Sequence, residues 1–313
     1  MAKVIIGILT YNLEDYVAVA IESVLQQKTD FEYKIIISDD NSTDGTVEIL
    51  KEYKNNYPDK IELILSKVNG GCAANALRIY EKLDSDYFAI LDGDDIWIGE
   101  DKLQKQVDFL DSHPKYSMCA GQTRFLRGDD VCEEIIPRQF VNREYTFEDF
   151  FLNPILFHVS GLLYRNVVFK DYVPNCFYDT IETFENCASR GEDLRRLMHL
   201  EYGALYAIPD VVSLYRIHEK GIWSGSTNVK RAIESAISAN LYQKYYKRKY
   251  PKLVYAMEAF FNMYYMDMWR ILVNEKYVLP RYRLSKQEDY LLRNLLSDLS
   301  NDNELKDKLT YIY

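Results

Sequence analysis

The sequence predicts an α/β fold, in which a mostly parallel sheet is flanked by helices and followed by a C-terminal helical extension. Two observations predict this class. Over residues 1–100, short runs rich in β-branched residues alternate with segments of helical apolar spacing, as in parallel sheets with helices on both faces. From about Val229 the pattern is helical and rich in tyrosine. We therefore expect an α/β domain over residues 1–228 and a helical C-terminal region over residues 229–313.

The first part of the chain contains four predicted strands with helices between them. The strands are Val4–Leu9, Lys34–Ser38, Ile61–Leu65 and Tyr87–Leu91. The helices are marked by Val17, Ala20, Ile21, Val24 and Leu25, by Val47, Leu50, Tyr53 and Tyr57, and by Ala74, Leu77 and Tyr80. Helical crossovers of this kind connect parallel strands.

Beyond Lys102 the pattern becomes mixed and predicts an α+β extension of the first domain. A helix is expected through Leu103, Val107 and Leu110, and short strands are expected around Ser117–Phe125, Gly161–Arg165 and Val211–Arg216. In the C-terminal region, Pro251 and Pro280 predict helix boundaries.

The composition limits the partners and the compartment. A formal net charge of −10 argues against a nucleic-acid partner, because phosphate binding needs a dense basic face. Five cysteines without C-x-x-C spacing indicate reduced thiols. No uncharged apolar run approaches the roughly 20 residues of a membrane-spanning helix, and the N-terminus lacks a signal-peptide pattern. We expect a cytoplasmic protein, either free or peripheral at the inner face of the cell membrane.

Polar loops follow each of the four predicted strands. Ligands bind beyond the carboxyl ends of parallel strands, so these loops are expected to converge on one site. They are Thr10-Tyr11-Asn12, Asp39-Asp40-Asn41-Ser42, Lys67-Val68-Asn69-Gly70-Gly71 and Asp92-Gly93-Asp94-Asp95.

The fourth loop places Asp92, Asp94 and Asp95 on one tight turn. Their mutual repulsion would be relieved by Mn²⁺ or Mg²⁺, with a diphosphate filling the remaining ligand positions. A simpler interpretation is a solvated turn with a helix-capping aspartate. The segment from Asp39 to Thr46 has a similar pair of interpretations: helix capping, or acceptance of a nucleobase N–H by a strand-end carboxylate. Neither loop decides the matter alone.

Together, the loops resemble those of the family 2 glycosyltransferases, whose GT-A fold has a Rossmann-like, mostly parallel sheet. The matching segments are Thr10-Tyr11-Asn12, Asp39–Thr46, Asn69-Gly70-Gly71 and Leu91–Asp95, in the same order and spacing. The resemblance covers about residues 1–224. It implies an inverting enzyme with a nucleotide-sugar donor and a Mn²⁺ or Mg²⁺ ion.

The resemblance also implies roles for individual residues. Asp40 would contact the nucleobase. The donor nucleotide would be bound by Thr10, Tyr11, Asn12, Asp40, Asn69, Gly70, Asp92 and Gly93. The metal would be held first by Asp94 and then by Asp92, with a further contact from His218 of the segment Tyr215-Arg216-Ile217-His218.

Two further positions carry part of the resemblance. Asp193 matches the second acid of a late acidic pair and would be the catalytic base, although Glu192 and Asp193 would also suit an exposed helix start. Ala74 departs from the family, which often has an arginine there, and leaves Lys67 or Arg78 as sources of the missing charge.

These inferences predict a glycosyltransferase that moves a sugar from a UDP-linked donor to a hydroxyl of a glycan or lipid-linked acceptor in bacterial surface polysaccharide synthesis. The alternatives are a non-catalytic nucleotide-sugar binding protein and a sugar-phosphate nucleotidyltransferase. The second alternative is weaker, because the sequence contains no Gly-rich phosphate loop with lysine. The C-terminal helices would serve packing, homodimerisation or contact with an anionic membrane surface.

Overall fold

In the computed structural model, which describes residues 2–152, 157–178, 189–222, 224–278 and 284–301, a central sheet organises the first part of the chain. The internal contacts divide the chain into two units, Met1–Ser224 and Gly225–Tyr313. The predicted domain limits at residues 228 and 229 stay a prediction.

Four parallel strands form one side of the sheet, in the order β3-β2-β1-β4. They are β1 (Val4–Thr10), β2 (Tyr33–Asp39), β3 (Ile61–Leu65) and β4 (Tyr87–Asp92). Thr10 lies opposite Asp39, and Leu9 lies opposite Asp92. The three strands therefore end at the same edge, and their polar loops leave the sheet side by side.

Helices cover both faces of these strands, which explains why β1 is apolar on both sides. Helix α1 (Val17–Leu25) contributes Val17, Ile21 and Val24 to a core that includes Ile6 and Ile8. Helices α2 (Thr46–Asn56) and α3 (Gly71–Tyr80) follow β2 and β3. A Cβ at Gly7 would lie 2.7 Å from Ile79, so glycine allows α3 to approach β1 closely. The predicted α/β class is confirmed.

The remaining elements extend this sheet with mixed strand directions, in the order β4-β9-β6-β10-β5. The strands are β5 (Ile96–Trp97), β6 (Tyr116–Arg127), β7 (Asp130–Glu134), β8 (Arg143–Tyr145), β9 (Leu162–Arg165) and β10 (Ala204–Ile217). The helices are α4 (Lys102–Ser112), α5 (Phe147–Leu152) and α6 (Ser189–Leu200).

Strand β10 is longer than predicted, because it begins at Ala204 rather than near Val211. Pro209, which lacks an N–H, lies where the register with β6 shifts between Ala207 and Val211. A bulge leaves residues unpaired, so proline is tolerated there and the strand continues.

The second unit contains three long helices in its described part: α7 (Asn228–Tyr246), α8 (Val254–Val278) and α9 (Lys286–Asn301). Ser285 and Glu288 form a reciprocal capping box at the start of α9, with N–H donations of 2.7 and 3.2 Å. Pro251 begins a 3₁₀ turn between α7 and α8, whereas Pro280 lies outside the described residues. Of the helices described, none combines the length and apolarity needed to cross a membrane.

Candidate functional site

The loops after β1 and β2 are joined by side-chain hydrogen bonds to backbone groups. Asn12, which has a φ of 55°, donates its N–H to Ser42 Oγ (2.8 Å) and accepts the Thr43 N–H at Oδ1 (2.7 Å). Asp39 is buried and accepts the Ser42 N–H (2.8 Å) and the Thr10 hydroxyl (2.9 Å). Thr10, one of the predicted donor-binding residues, is therefore buried, and its hydroxyl is hydrogen-bonded to Asp39.

Asp40 connects the β2 loop to the start of α3. Its carboxylate accepts the N–H groups of Gly70 (3.0 Å) and Gly71 (2.6 Å). Arg78 pairs with the same carboxylate at 2.9 Å and also donates to Asn75 (3.1 Å). Asp40 is thus buried against one cation and two backbone donors.

The small side chain at position 74 leaves room for this pair. A Cβ at Gly70 would lie 2.9 Å from Ala74 Cβ and 3.1 Å from Arg78 Nη2, so these three residues are packed against one another. Arg78 follows Ala74 by one helical turn on the same face of α3. Arg78 therefore supplies positive charge next to Asp40, at a different position from the arginine often found in the family.

The turn after β4 carries the acidic cluster and is held tightly to β1. Gly93 donates its N–H to Leu9 O (2.8 Å), and Asp95 donates its N–H to Asp92 O (3.0 Å). A Cβ at Gly93 would lie 2.8 Å from Leu9 O and 2.9 Å from Thr10 Cγ2. Glycine is needed there because the turn approaches the neighbouring backbone so closely.

Asp94 and His218, predicted together as metal ligands, are brought together by the fold. His218 Nε2 lies 2.8 Å from Asp94 Oδ2. Arg216 Nε donates to the Asp94 carbonyl (3.0 Å), and the Tyr16 ring lies 4.5 Å from the His218 ring. His218 Nδ1 is buried and has no hydrogen-bond partner among the described residues.

Asp95 points inward from the same turn and is fully buried. It accepts the Arg216 N–H (3.1 Å) and a short hydrogen bond from the Ser160 hydroxyl, and His158 Nδ1 lies 3.4 Å from it. One ligand atom each from Asp92, Asp95 and His158 lie within 4.8 Å of one another. This group overlaps the predicted metal set at Asp92.

The carboxylates of the turn disfavour one another's ionised forms. Burial, and after it the charge of Asp94, raises the pKa of Asp92 to about 8. Burial, and after it the charges of Asp94 and Asp92, raise the pKa of Asp95 well above its usual value. Burial lowers the pKa of His158 to about 4, which leaves a neutral imidazole. A divalent cation would relieve this repulsion, so the donor set fits one.

Comparison with known sequences assigns the chain to a family. The sequence model described as glycosyl transferase family 2 matches residues 5–173, which is more than half of the chain. The chain belongs to glycosyl transferase family 2.

Curated relatives of this family 2 chain include the uncharacterized protein Rv1520 of Mycobacterium tuberculosis, 28% identical over 226 residues. That match covers 71% of this chain and 61% of the relative, so the chain spans about three fifths of the relative's length. The dTDP-rhamnosyl transferase RfbG of Shigella flexneri is 40% identical over 106 residues, 32% of this chain and 36% of RfbG.

The fold of this family 2 member is similar to that of S. aureus TarS 1-349, solved in complex with UDP-GlcNAc. The TM-score is 0.61 with 16% identity, and the match covers 95% of this chain and 80% of TarS 1-349. The predicted GT-A fold is therefore confirmed.

Asp193 lies near the start of α6 and pairs with Arg196, which is buried. Arg196 Nη2 lies 3.1 Å from Asp193 Oδ1 and 3.2 Å from Glu192 Oε1. The pKa of Asp92 is raised mainly by burial and by the charge of Asp94, and the charge of Glu192 raises it further. The acidic start of α6 is therefore electrostatically coupled to the acidic turn, and the role of Asp193 stays a prediction.

Several residues around the site were not singled out from the sequence. Ser160 and His158 hold Asp95, and Tyr16 packs against His218. Asn75 donates from Nδ2 to the carbonyls of Thr10 and Ser38, at 3.2 and 3.0 Å. These contacts join residues between 37 and 202 positions apart, and no local spacing marks them. Among the predicted donor residues, Tyr11 is exposed and Asn69 accepts the Gly71 N–H (3.2 Å).

Proposed function

We propose that this protein is an inverting glycosyltransferase that transfers a sugar from a nucleoside-diphosphate sugar, with UDP as the expected nucleotide, to a hydroxyl of a glycan or lipid-linked acceptor. The observation that carries the proposal is the pairing of Asp94 with His218 beside Asp92. This pair lies at the edge of the sheet where β2 ends and the Asp40 loop begins. Bacterial surface polysaccharide synthesis is the proposed context. The sugar-transfer activity is supported by RfbG, which is named as a dTDP-rhamnosyl transferase.

The donor nucleotide is proposed to lie across the loops after β1, β2 and β3. Tyr11 is exposed there and offers a ring face to the base. The Asp40 carboxylate accepts hydrogen bonds from three donors, and its Oδ2 atom can accept a further one. Arg78 lies next to this carboxylate and is partly exposed. An acceptor and a cationic donor side by side suit the N–H and carbonyl of a uracil ring. The donor described for TarS, UDP-GlcNAc, carries this base.

The metal, Mn²⁺ or Mg²⁺, is proposed to be held by Asp94, Asp92 and His218. When bound, it would supply Lewis-acid stabilisation of the leaving diphosphate. The protein's own part is to hold these ligands: Gly93 fixes the turn on β1, and Arg216 fixes it on β10. A preorganised ligand set needs no rearrangement during the reaction.

Asp193 is proposed as the base for the acceptor hydroxyl. As the hydroxyl oxygen bonds to the sugar's C1 and the C1–diphosphate bond breaks, the carboxylate takes the hydroxyl proton. Such assistance contributes about 10²–10⁴-fold to the rate. Arg196 holds one oxygen of Asp193 at 3.1 Å and so restricts the orientation of the carboxylate.

The experiment is a comparison of Asp193→Asn with Glu192→Gln, its neighbour in the same ion pair with Arg196. We expect Asp193→Asn to lower turnover by about 10²–10⁴-fold while donor affinity stays unchanged. Glu192→Gln should retain turnover within about tenfold, because the base is intact. Wild-type turnover in Asp193→Asn would exclude this residue as the base. If the wild-type protein transferred no sugar from any donor, the proposed glycosyltransferase activity would be contradicted.

A further inference from the structure

Helix α8 carries an exposed apolar stripe within the second unit. Tyr255, Met263, Met266 and Trp269 are exposed by 85, 48, 66 and 36%. Their spacing places them on one side of the helix, along which Ala259, Asn262 and Arg270 are also exposed. Large apolar side chains in such a row are unusual on a surface that only meets water.

A basic segment adjoins the start of this stripe. Between Glu234 and Glu258 the sequence contains no aspartate or glutamate, but it contains Lys244, Lys247, Arg248, Lys249 and Lys252. Arg248, Lys249 and Lys252 are exposed, and Lys252 lies three residues before Tyr255. A cluster of this sign is notable in a chain whose formal net charge is −10. We call these three exposed cations the basic corner.

We propose that the basic corner and the α8 stripe bind the surface of an anionic lipid bilayer. Tyrosine and tryptophan favour the boundary between headgroups and acyl chains, and a helix with an apolar face lies in that boundary. Adjacent cations are attracted to anionic headgroups. The charge of the corner is complementary to such a surface, and the stripe supplies the apolar area that charge alone lacks. The proposal is independent of the glycosyltransferase activity.

The test uses the full chain and sedimentation with vesicles, in the absence of donor and metal. We expect binding to vesicles of phosphatidylcholine mixed with phosphatidylglycerol, and much weaker binding to phosphatidylcholine alone. Binding should fall at about 1 M salt, where the Debye length is about 3 Å. Equal binding to both vesicle types, or binding that ignores salt, would overturn the proposal.

Two variants separate the charge from the stripe. Arg248→Glu/Lys249→Glu/Lys252→Glu should weaken binding by at least about 100-fold, since each cation contributes roughly fivefold. The control Lys34→Glu/Lys51→Glu/Lys170→Glu makes the same charge change at exposed lysines of the first unit and should bind within about tenfold of wild type. Met266→Ser/Trp269→Ser should also weaken binding by at least about tenfold, by removing apolar area.

The alternative occupant of the stripe is a second copy of the chain. Sedimentation equilibrium of the wild type and of Met266→Ser/Trp269→Ser distinguishes the two. A dimer that this variant abolishes, together with no binding to anionic vesicles, would overturn the proposal in favour of a dimer interface. A wild-type monomer that binds anionic vesicles supports it. Circular dichroism of each variant establishes that a loss of binding is not a loss of folding.

Discussion

Neighbouring aspartates at the end of β2 have different structural tasks. Asp39 is satisfied by hydroxyl and backbone donors of the first two loops and fixes their shape. Asp40 is satisfied by two backbone donors and by Arg78, and so ties the β3 loop to β2. A buried carboxylate is costly unless it is paired, so we expect Arg78 to stabilise the fold as well as the proposed donor site.

Arg78→Met tests this pairing. We expect the free energy of unfolding to fall by about 3 kcal/mol, because an uncompensated charge stays buried, and donor affinity to fall with it. The control is Lys82→Met, which removes a cation paired with Glu62 at 3.3 Å but more than half exposed. That variant should lose less than about 1 kcal/mol. Denaturant titration measures both, and equal losses would contradict the assignment.

His218→Ala tests the proposed metal set. We expect the apparent affinity for Mn²⁺ to fall by at least about tenfold, the lower end of what losing a group around a metal costs. His113→Ala is the matched control, since His113 is exposed and bonds within α4 and its C-terminal end. Isothermal titration with Mn²⁺ measures the affinity. An unchanged His218→Ala value would favour the ligand group of Asp92, Asp95 and His158 instead.

At the scale of elements, the acidic turn is held from two sides. Arg216 of strand β10 donates hydrogen bonds to Asp94 and Asp95 of the turn. Ser160, in the segment before β9, donates a hydrogen bond to Asp95. Trp97 Nε1 donates to the Ser160 carbonyl (2.8 Å), and the Lys102 ammonium lies 4.0 Å from the Trp97 ring centre. Helix α4 therefore supports the site indirectly, through β5 and the Ser160 segment.

Lys102 makes the stability of this region depend on pH. It is buried, donates to Gln106 (2.8 Å), and burial lowers its pKa to about 7. In the unfolded chain the lysine pKa is about 10.4, so above pH 7 the unfolded state binds more protons and stability rises with pH. The rise has a limit of about 1.4 kcal/mol per pH unit and ends near the unfolded pKa.

Lys102→Met removes the titrating group while keeping its apolar length. We expect the variant to lack this rise between pH 7 and 9, and to gain stability relative to wild type below pH 7, where the charged lysine is buried at full cost. Denaturant titrations at several pH values measure the slope. A variant whose unfolding free energy follows the wild-type slope would show that Lys102 stays charged in the folded protein.

At the scale of the whole molecule, the chain consists of two units, and each contains the residues of a different proposed binding site. The proposed donor and metal residues all lie within Met1–Ser224, whereas the basic corner and the α8 stripe lie within Gly225–Tyr313. A ligand that binds one folded unit stabilises that unit by RT ln(1 + L/Kd), where L is the free ligand concentration.

Thermal unfolding should therefore show two transitions, of which UDP with Mn²⁺ raises only one. At about 100 times the dissociation constant the ligand adds about 2.7 kcal/mol to the unit that binds it, a shift of several degrees. Calorimetry with and without the ligands measures both transitions. A single transition that moves as a whole would mean that the units unfold together.

The amino-acid sequence determined the class of the fold and the location of the candidate site. The alternation of β-rich and helical segments is a local property, and parallel strands necessarily bring the loops after β1, β2 and β4 to one edge. The acidic turn and Asp40 were identified in this way, whereas His218 was identified only through the resemblance to the family. Boundaries were less predictable: the strand predicted around Val211–Arg216 begins at Ala204, because a bulge allows it to continue past Pro209.

Only the tertiary structure decided how the polar residues are used. Asp39 and Asp40 look equivalent in sequence, yet the first stabilises loops and the second pairs with Arg78, 38 positions away. Asp95, Ser160 and Arg216 come together across 65 and 121 positions. Hydrogen bonds and burial act between neighbours in space, so no spacing along the chain encodes which carboxylate is paired and which is buried.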